Sequence, residues 1–346
     1  MVAAHEKLLI WGERVPYNTG KNKLEVMVLK RAPRFAPAAL LRFAKVIGRD
    51  FIDDVDAVHA VTYAFEIRRG GAKETFDDAP YLTPFVVPGS DRAIIILPGG
   101  GYALKSSESE GSQVAASLNE AGISTFVLWY RVHPYRAPVP FLDLQRAVRY
   151  VKYHAASYGI DPGRVGVLGF SAGGHACATL VNQLRNAPVE VPGYTPDEVD
   201  AVDDRVALAG LIYPAIDLAY NPGILFALAD PDEVRNPTTR QALIERYSPV
   251  HAQAGDPPQF LCYGTQDGLV DPRGLIAYQA RLDEKGVENR ILALEGARHG
   301  FGACSGSSFA RLAFGRYTHW VETFATWANE IFSRLDVRGS RSPIER

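Results

Sequence analysis

The sequence contains little cysteine, has almost no net charge, and lacks long apolar runs. Its three cysteines, Cys177, Cys262 and Cys304, are too few and too scattered for a disulfide framework, so we expect reduced packing residues. The formal net charge of -2 provides no basic face, which argues against nucleic acid as a partner. Because no apolar run is long enough to cross a bilayer, we also expect no membrane partner.

Targeting and metal-binding patterns are missing as well. No basic stretch leads into an apolar segment at the amino terminus, which predicts a cytoplasmic protein without a secretory leader. The pattern His-Glu-x-x-His does not occur, and the scattered histidines lack partners at the spacing of metal ligands. We therefore expect no metal and no cofactor.

With 346 residues, of which 47% are hydrophobic, the chain can bury a large core.

The most informative segment is the pentapeptide at residues 169–173, which reads Gly-Phe-Ser-Ala-Gly. It follows an apolar run at residues 165–168, so the pattern predicts a strand, a sharp turn and a helix. Flanking glycines leave room for a side chain at the tip of such a turn. The free amides at the start of the helix face any negative charge that develops beside the serine oxygen. Ser171 is therefore predicted to be a nucleophile for acyl transfer.

A second glycine-rich turn lies upstream. The apolar run at residues 93–97 is typical of a strand buried on both faces, and it leads into Pro-Gly-Gly-Gly-Tyr at residues 98–102. Without side chains, the amides of Gly100 and Gly101 can approach a substrate oxygen closely. With the amide of Ala172 they would form an oxyanion hole. A flexible connector is the alternative, whereas the patterns of a phosphate-binding loop are absent.

A serine hydroxyl is a weak nucleophile near neutral pH, so Ser171 needs a histidine to take its proton and a carboxylate to orient that histidine. Asp267 follows a predicted strand at residues 258–264, and His299 follows another predicted strand. The order Ser, Asp, His along the chain is the order that this type of nucleophile turn requires. We predict that Asp267 is the orienting acid. Asp271 is the competing candidate, although the proline after it is typical of a helix start.

Three further side chains, Tyr102, His133 and Phe226, are predicted to contact substrate. Tyr102 ends the glycine-rich turn, and His133 lies in an aromatic and basic segment that should reach the same rim, with plain packing as its alternative. Phe226 lies in a stretch rich in proline and aspartate where a lid would insert, so it either lines the acyl pocket or packs in the core. His175, in the helix after Ser171, is expected to pack beneath the site.

Several motifs in one order resemble those of the α/β-hydrolase superfamily of serine esterases. The chain is most similar to acetylxylan esterase and feruloyl esterase-like carboxylesterases, with hormone-sensitive-lipase-like enzymes as more distant relatives. The resemblance spans residues 78 to 335, and its motifs are residues 97–102, 143–150, 160–164, 169–175, 213–214 and 299–302. In the lipase relatives a histidine usually replaces Pro98 and an acidic residue often replaces Phe170. These departures favour the carbohydrate-esterase-like branch.

The resemblance implies a serine carboxylesterase that hydrolyses short acyl esters through an acyl-enzyme. Acetyl esters of xylo-oligosaccharides or related sugars are the substrates that it suggests. A lipase and an amide or formamide hydrolase would use the same residues, so both stay open. The alternative from another class is a non-catalytic protein that binds a ligand on a hydrolase scaffold, although this chain retains all three triad residues.

Alternating strands and helices predict an α/β fold with a mostly parallel sheet flanked by helices. We expect an N-terminal extension over residues 1–75 that adds edge strands, covers the site or makes a homodimer contact. A catalytic domain over residues 76–337 follows, with a lid within 215–248, and a tail covers 338–346. The helix that includes residues 144–155 should pack its apolar face inward and turn its basic residues to water, namely Arg146, Arg149 and Lys152.

Overall fold

The computed structural model describes residues 7–18, 25–28, 63–68, 71–76, 79–103, 105–106, 108–132, 135–304 and 315–339. In chain order the strands are β1 (Leu8–Leu9), β2 (Glu25–Val28), β3 (Tyr63–Arg68), β4 (Gly71–Phe76), β5 (Tyr81–Phe85), β6 (Ala93–Leu97), β7 (Ser124–Trp129), β8 (Val165–Phe170), β9 (Ala209–Ile212), β10 (Gln259–Gly264) and β11 (Asn289–Leu294). The helices are α1 (Gln113–Glu120), α2 (Val139–Tyr153), α3 (Ala172–Thr179), α4 (Leu225–Leu228), α5 (Pro231–Arg235), α6 (Pro237–Tyr247), α7 (Arg273–Glu284) and α8 (His319–Gly339). From β6 onward, at least one helix follows each strand.

Eight strands form one sheet in the order β1-β5-β7-β6-β8-β9-β10-β11. Strand β5 is antiparallel to both β1 and β7, whereas the neighbours from β7 to β11 run parallel. Strands β6, β7 and β8 are buried along their whole length, as their apolar runs indicate. The predicted α/β fold with a mostly parallel sheet is confirmed. Parallel strands bring their carboxyl ends to one edge, where the predicted site residues follow β6, β8, β10 and β11.

The hydrophobic core has two layers, one on each face of the sheet. Alternate residues of β6 separate them, because Ile95 and Leu97 pack with α2 whereas Ile94 and Ile96 pack with α1 and α8. This two-sided burial holds the strand ends in fixed positions. Within the described ranges, no helix combines the length and the apolar character needed to span a bilayer.

The N-terminal extension contributes the edge strand β1, which pairs with β5. Strands β2, β4 and β3 form a separate antiparallel sheet in that order. The helix candidate near residues 38–44 lies outside the described residues. The described part of the extension thus includes an edge strand, while a cover over the site and a dimer contact stay predictions.

The predicted water-facing side of α2 is wrong for two of its basic residues. Arg146 and Arg149 are only 3% and 2% exposed. The Arg146 guanidinium binds Asp197 and Asp200, and that of Arg149 binds Asp204. These carboxylates belong to a long connection between α3 and β9 that covers this side of the helix. Charge pairing therefore replaces the hydration that periodicity alone predicted.

A buried ion pair fastens the amino-terminal segment to the beginning of α2. Neither Arg131 nor Asp143 is exposed, and the guanidinium donates from Nε and Nη2 to the two carboxylate oxygens, at 2.9 and 2.7 Å. The Trp11 indole donates to Asp143 at 2.8 Å, and Arg131 Nη1 donates to the carbonyl of Pro16 at 2.5 Å. Each charge is thus met by several hydrogen bonds that replace water.

Asp143→Ala is expected to lower the free energy of unfolding by about 3–5 kcal/mol, because it removes the carboxylate that binds the buried Arg131 guanidinium through two hydrogen bonds. Urea unfolding followed by circular dichroism measures the change. The matched control is Asp203→Ala, which breaks an exposed pair with Arg205 and should cost less than about 1 kcal/mol. Equal losses in the two variants would contradict the structural role of the buried pair.

Candidate active site

Ser171 occupies a strained turn between β8 and α3. Its backbone angles are φ 51° and ψ -114°, a combination that residues with side chains rarely adopt. The turn is held from one side because the Ser171 amide donates to the carbonyl of Ile212 at 2.9 Å. A Cβ atom on Gly169 would lie 2.2 Å from the Gly173 carbonyl oxygen, and one on Gly173 would lie 2.3 Å from that of Leu97. Because Gly169 and Gly173 have no side chains, the backbones of β8 and α3 can pack against each other, and that of α3 can pack against the end of β6.

His299 lies between Ser171 and Asp267. Its Nε2 is 2.9 Å from Ser171 Oγ, and its Nδ1 is 2.7 Å from Asp267 Oδ2. The Asp267 side chain is only 1% exposed, and Oδ1 accepts the amides of Leu269 and Val270 at 3.0 and 2.9 Å. Because a carboxylate accepts, Nδ1 carries the proton, and Nε2 is free to accept from the serine hydroxyl.

The competing acid, Asp271, has other partners. It lies just before α7, where its carboxylate accepts both the amide and the guanidinium of Arg273. These hydrogen bonds lower the pKa of Asp271. The structure therefore brings Asp267, and not Asp271, to the histidine.

The oxyanion loop, residues 98–102, lies directly against the nucleophile turn. A Cβ atom on Gly99 would be 2.9 Å from Cβ of Ser171, so the two backbones approach as closely as glycine permits. In the part of the chain that the structure describes, the amides of Gly100, Gly101 and Ala172 donate no hydrogen bond to protein. The oxyanion role of these three amides stays a prediction.

The predicted contact between the Tyr102 side chain and substrate is corrected by its burial. Tyr102 has no exposed surface, and its hydroxyl lies 2.7 Å from Nδ1 of His175. Nε2 of that fully buried histidine is 2.7 Å from the carbonyl oxygen of Tyr247. Since a carbonyl only accepts, Nε2 carries the proton and Nδ1 accepts from the hydroxyl. Tyr102 and His175 therefore support the oxyanion loop from the protein interior.

Burial lowers the pKa of His175 to about 4, from 6.5. The folded protein thus binds fewer protons than the unfolded chain, and this contribution to stability is lost as the pH falls from 6.5 towards 4. We expect the free energy of unfolding to decrease by about 2–3 kcal/mol through this group between about pH 7.5 and pH 4.5. Urea unfolding at the two pH values measures it. The non-titrating variant His175→Gln should show a smaller decrease, and the same decrease would contradict the assignment.

Two of the predicted substrate contacts remain open. Phe226, in α4, is partly buried against core residues such as Leu225 and Leu228, and its acyl-pocket role stays a prediction. His133 lies outside the described residues. Helices α4, α5 and α6 lie in the connection between β9 and β10, where the lid is predicted.

One buried carboxyl behind the site escaped the sequence analysis. Glu110 is buried, with Oε2 2.6 Å from the Gly99 amide that donates to it and Oε1 2.8 Å from the Tyr213 hydroxyl. A signal was present, because the sequence predicts a helix over about residues 109–121, and Glu110 lies four residues before Val114 on the apolar side of that helix. Tyr213 itself belongs to a motif quoted for the resemblance.

The chain is similar to several known proteins. A family model described as BD-FAE matches residues 83–282, more than half of the 346-residue chain. An acetylxylan esterase of Xylanibacter ruminicola is 30% identical over 217 residues, which are 62% of this chain and 42% of that protein. Endo-1,4-beta-xylanase B of Butyrivibrio fibrisolvens is 27% identical over 236 residues, 65% of this chain and 35% of that protein. The chain thus spans less than half the length of these curated relatives.

Among solved structures, the acetyl ester-xyloside bifunctional hydrolase of Caldicellulosiruptor lactoaceticus is 32% identical, with a TM-score of 0.61. The match covers 73% of this chain and 88% of that chain. An esterase of Thermogutta terrifontis, 24% identical with a TM-score of 0.58, shares the fold. The α/β-hydrolase fold implied by the resemblance is confirmed.

Proposed function

Because the chain belongs to the BD-FAE family, we propose that it is a serine carboxylesterase acting on short-chain acyl esters. The observation that carries the proposal is the continuous contact from Ser171 Oγ to His299 Nε2, at 2.9 Å, and from His299 Nδ1 to Asp267 Oδ2, at 2.7 Å. A nucleophile, a base and an orienting acid in this order are the components of acyl transfer.

In the first half of the reaction, Ser171 Oγ attacks the ester carbonyl carbon while His299 Nε2 takes the hydroxyl proton. The carbonyl π electrons move to the oxygen, and the amides of Gly100, Gly101 and Ala172 stabilise the negative charge. When the tetrahedral intermediate collapses, the bond to the alcohol oxygen breaks. That oxygen takes the proton from Nε2, and the acyl group remains on the serine.

In the second half, water attacks the acyl-enzyme as His299 removes one of its protons. Collapse of the second intermediate breaks the bond to Ser171 Oγ, which recovers a proton from the imidazolium, and the carboxylic acid leaves. Asp267 accepts the hydrogen bond from the Nδ1 proton throughout and stabilises the imidazolium. Its burial and its two backbone hydrogen bonds keep it in position for both half-reactions.

Acetyl esters of xylo-oligosaccharides or related sugars are the substrate class that we propose. Support comes from the names of two relatives, an acetylxylan esterase and an acetyl ester-xyloside hydrolase. Pro98 and Phe170, which depart from the lipase pattern, favour the same class. Three buried cysteines, all free, support the proposed cytoplasmic location. A homodimer stays a prediction.

A panel of substrates tests the proposal. We expect turnover of an aryl acetate, little turnover of the matching aryl decanoate, and release of acetate from acetylated xylo-oligosaccharides. Equal turnover of the long chain would indicate a lipase, and preferred cleavage of an anilide or a formamide would indicate an amide hydrolase. A folded protein that cleaves none of these compounds would leave the non-catalytic binding protein as the function.

A further inference from the structure

We propose that Glu110 is a positioning residue that fixes the oxyanion loop relative to the histidine loop, residues 295–302. This inference rests on the proposed function. The two oxygens of its carboxylate serve different loops. Oε2 accepts the Gly99 amide directly, at 2.6 Å, and Oε1 accepts the Tyr213 hydroxyl, at 2.8 Å. Glu110 thus contacts Gly99, which precedes the predicted oxyanion donors, and Tyr213, whose ring lies beside the predicted base, His299.

Tyr213 connects Glu110 to the histidine loop, and we call this set of contacts from Gly99 through Glu110 and Tyr213 to Gly302 the bridge. The amide of Gly302 donates to the Tyr213 hydroxyl oxygen at 3.1 Å, so the hydroxyl proton is free to point at Glu110. The carbonyl of Ser109 also accepts the Ala303 amide at 2.8 Å. Glu110 therefore reaches Gly302 through the Tyr213 hydroxyl, and the preceding residue, Ser109, contacts Ala303 directly. A displacement of Glu110 would move the segment that follows His299 as well.

Tyr213 places its ring against the base itself. The ring centroids of Tyr213 and His299 are 4.7 Å apart with an interplanar angle of 61°. The backbone of Tyr213 has φ 39°, and its amide donates to the carbonyl of Cys262 at 2.6 Å. A non-glycine residue persists in this conformation when its surroundings determine it, and the hydroxyl contact with Glu110 is one of those constraints.

The carboxylate form of Glu110 fits these neighbours. Burial raises the pKa of Glu110 above its ordinary value, and hydrogen bonds from Tyr213 and from the Gly99 amide, together with the charge on protonated His299, offset part of that rise. Both contacts at the carboxyl are donors, an N–H and an O–H. In a glutamine of similar shape the oxygen must face the Gly99 amide, so the NH₂ group faces the Tyr213 hydroxyl. Glu110→Gln therefore removes the hydrogen bond that Tyr213 donates to the carboxylate, while it preserves the packing.

The test uses Glu110→Gln, Tyr213→Phe and the double variant, with Glu108→Gln as the matched control in the same turn. We expect Glu110→Gln to lower kcat for an aryl acetate about 30-fold and to change KM less than about threefold. This decrease in kcat is smaller than the decrease that follows the loss of an oxyanion donor. Tyr213→Phe should lower kcat about tenfold, and the double variant should resemble Glu110→Gln, because both remove the same hydrogen bond. Thermal unfolding of each variant separates positioning from stability.

Several results would overturn the inference. A folded Glu110→Gln with kcat within about twofold of wild type or of the Glu108→Gln control would do so, as would additive losses in the double variant. Should Glu110→Gln fail to fold, Tyr213→Phe decides: a lower kcat at constant KM supports the bridge, and an unchanged kcat overturns it. An inactive wild-type protein overturns the proposed function and this inference together, whereas an active one with indifferent variants overturns the inference alone.

Discussion

Ser171→Ala is expected to lower kcat for an aryl acetate by about 10⁶-fold, because no other group can form the acyl-enzyme. The oxyanion donors and bound substrate would still accelerate hydrolysis by about 10³-fold over water. The same change should abolish covalent labelling by a fluorophosphonate probe, which reacts with the activated serine in place of an ester. Stopped assays and intact-mass spectrometry measure the two effects.

The control for this variant is Ser117→Ala, which removes a hydroxyl that donates to the carbonyl of Gln113 within α1. It should retain wild-type turnover and full labelling at Ser171. Peptide mapping identifies the modified residue. Label on any other serine, or Ser171→Ala turnover within about tenfold of wild type, would place the nucleophile elsewhere.

Asp267→Asn should lower kcat by about 10⁴-fold, the second largest effect that we expect. The amides of Leu269 and Val270 both donate to Oδ1, so the oxygen of an asparagine must face them and its NH₂ group must face His299. The NH₂ group of the asparagine and a protonated Nδ1 of His299 are both donors, so they cannot form a hydrogen bond with each other. The imidazole therefore shifts its proton to Nε2 and loses the ability to accept one from Ser171.

Asp271→Asn is the matched control, since the same chemical change is made four residues along the chain. Its partner is the exposed guanidinium of Arg273, so kcat should stay within about twofold of wild type. Steady-state kinetics of the two variants side by side are sufficient. A comparable loss in both, or a larger loss at Asp271, would contradict the assignment of the orienting acid.

Local patterns were sufficient to predict the parts of the fold that lie around Ser171. A strand buried on both faces consists of consecutive apolar residues, so β6 and β8 are visible in the sequence, and glycines mark the turns that follow them. The parallel arrangement then collects the strand ends at one edge. That is why residues as distant as Asp267 and His299 could be predicted to meet Ser171, and the structure brings them within hydrogen-bond distance.

The errors concern groups whose partners are distant in sequence. Arg146 pairs with Asp197, 51 residues away, and helix periodicity holds no information about that connection. Tyr102 follows the oxyanion glycines and is predicted to contact substrate, yet its hydroxyl reaches His175, 73 residues away. Glu110 is bonded to Tyr213 across 103 residues. Burial of a polar group depends on such long-range partners, and a single sequence does not reveal them.

The ion pair of Arg131 and Asp143 limits how far this chain could be shortened. A chain that began after residue 18 would keep every residue of the candidate active site. That truncation would, however, remove the indole of Trp11 and the carbonyl of Pro16. Two charges that are buried in the intact chain would each lose one hydrogen bond. The shortest stable fragment is therefore set by the burial of this charge pair, and not by the residues of the candidate site.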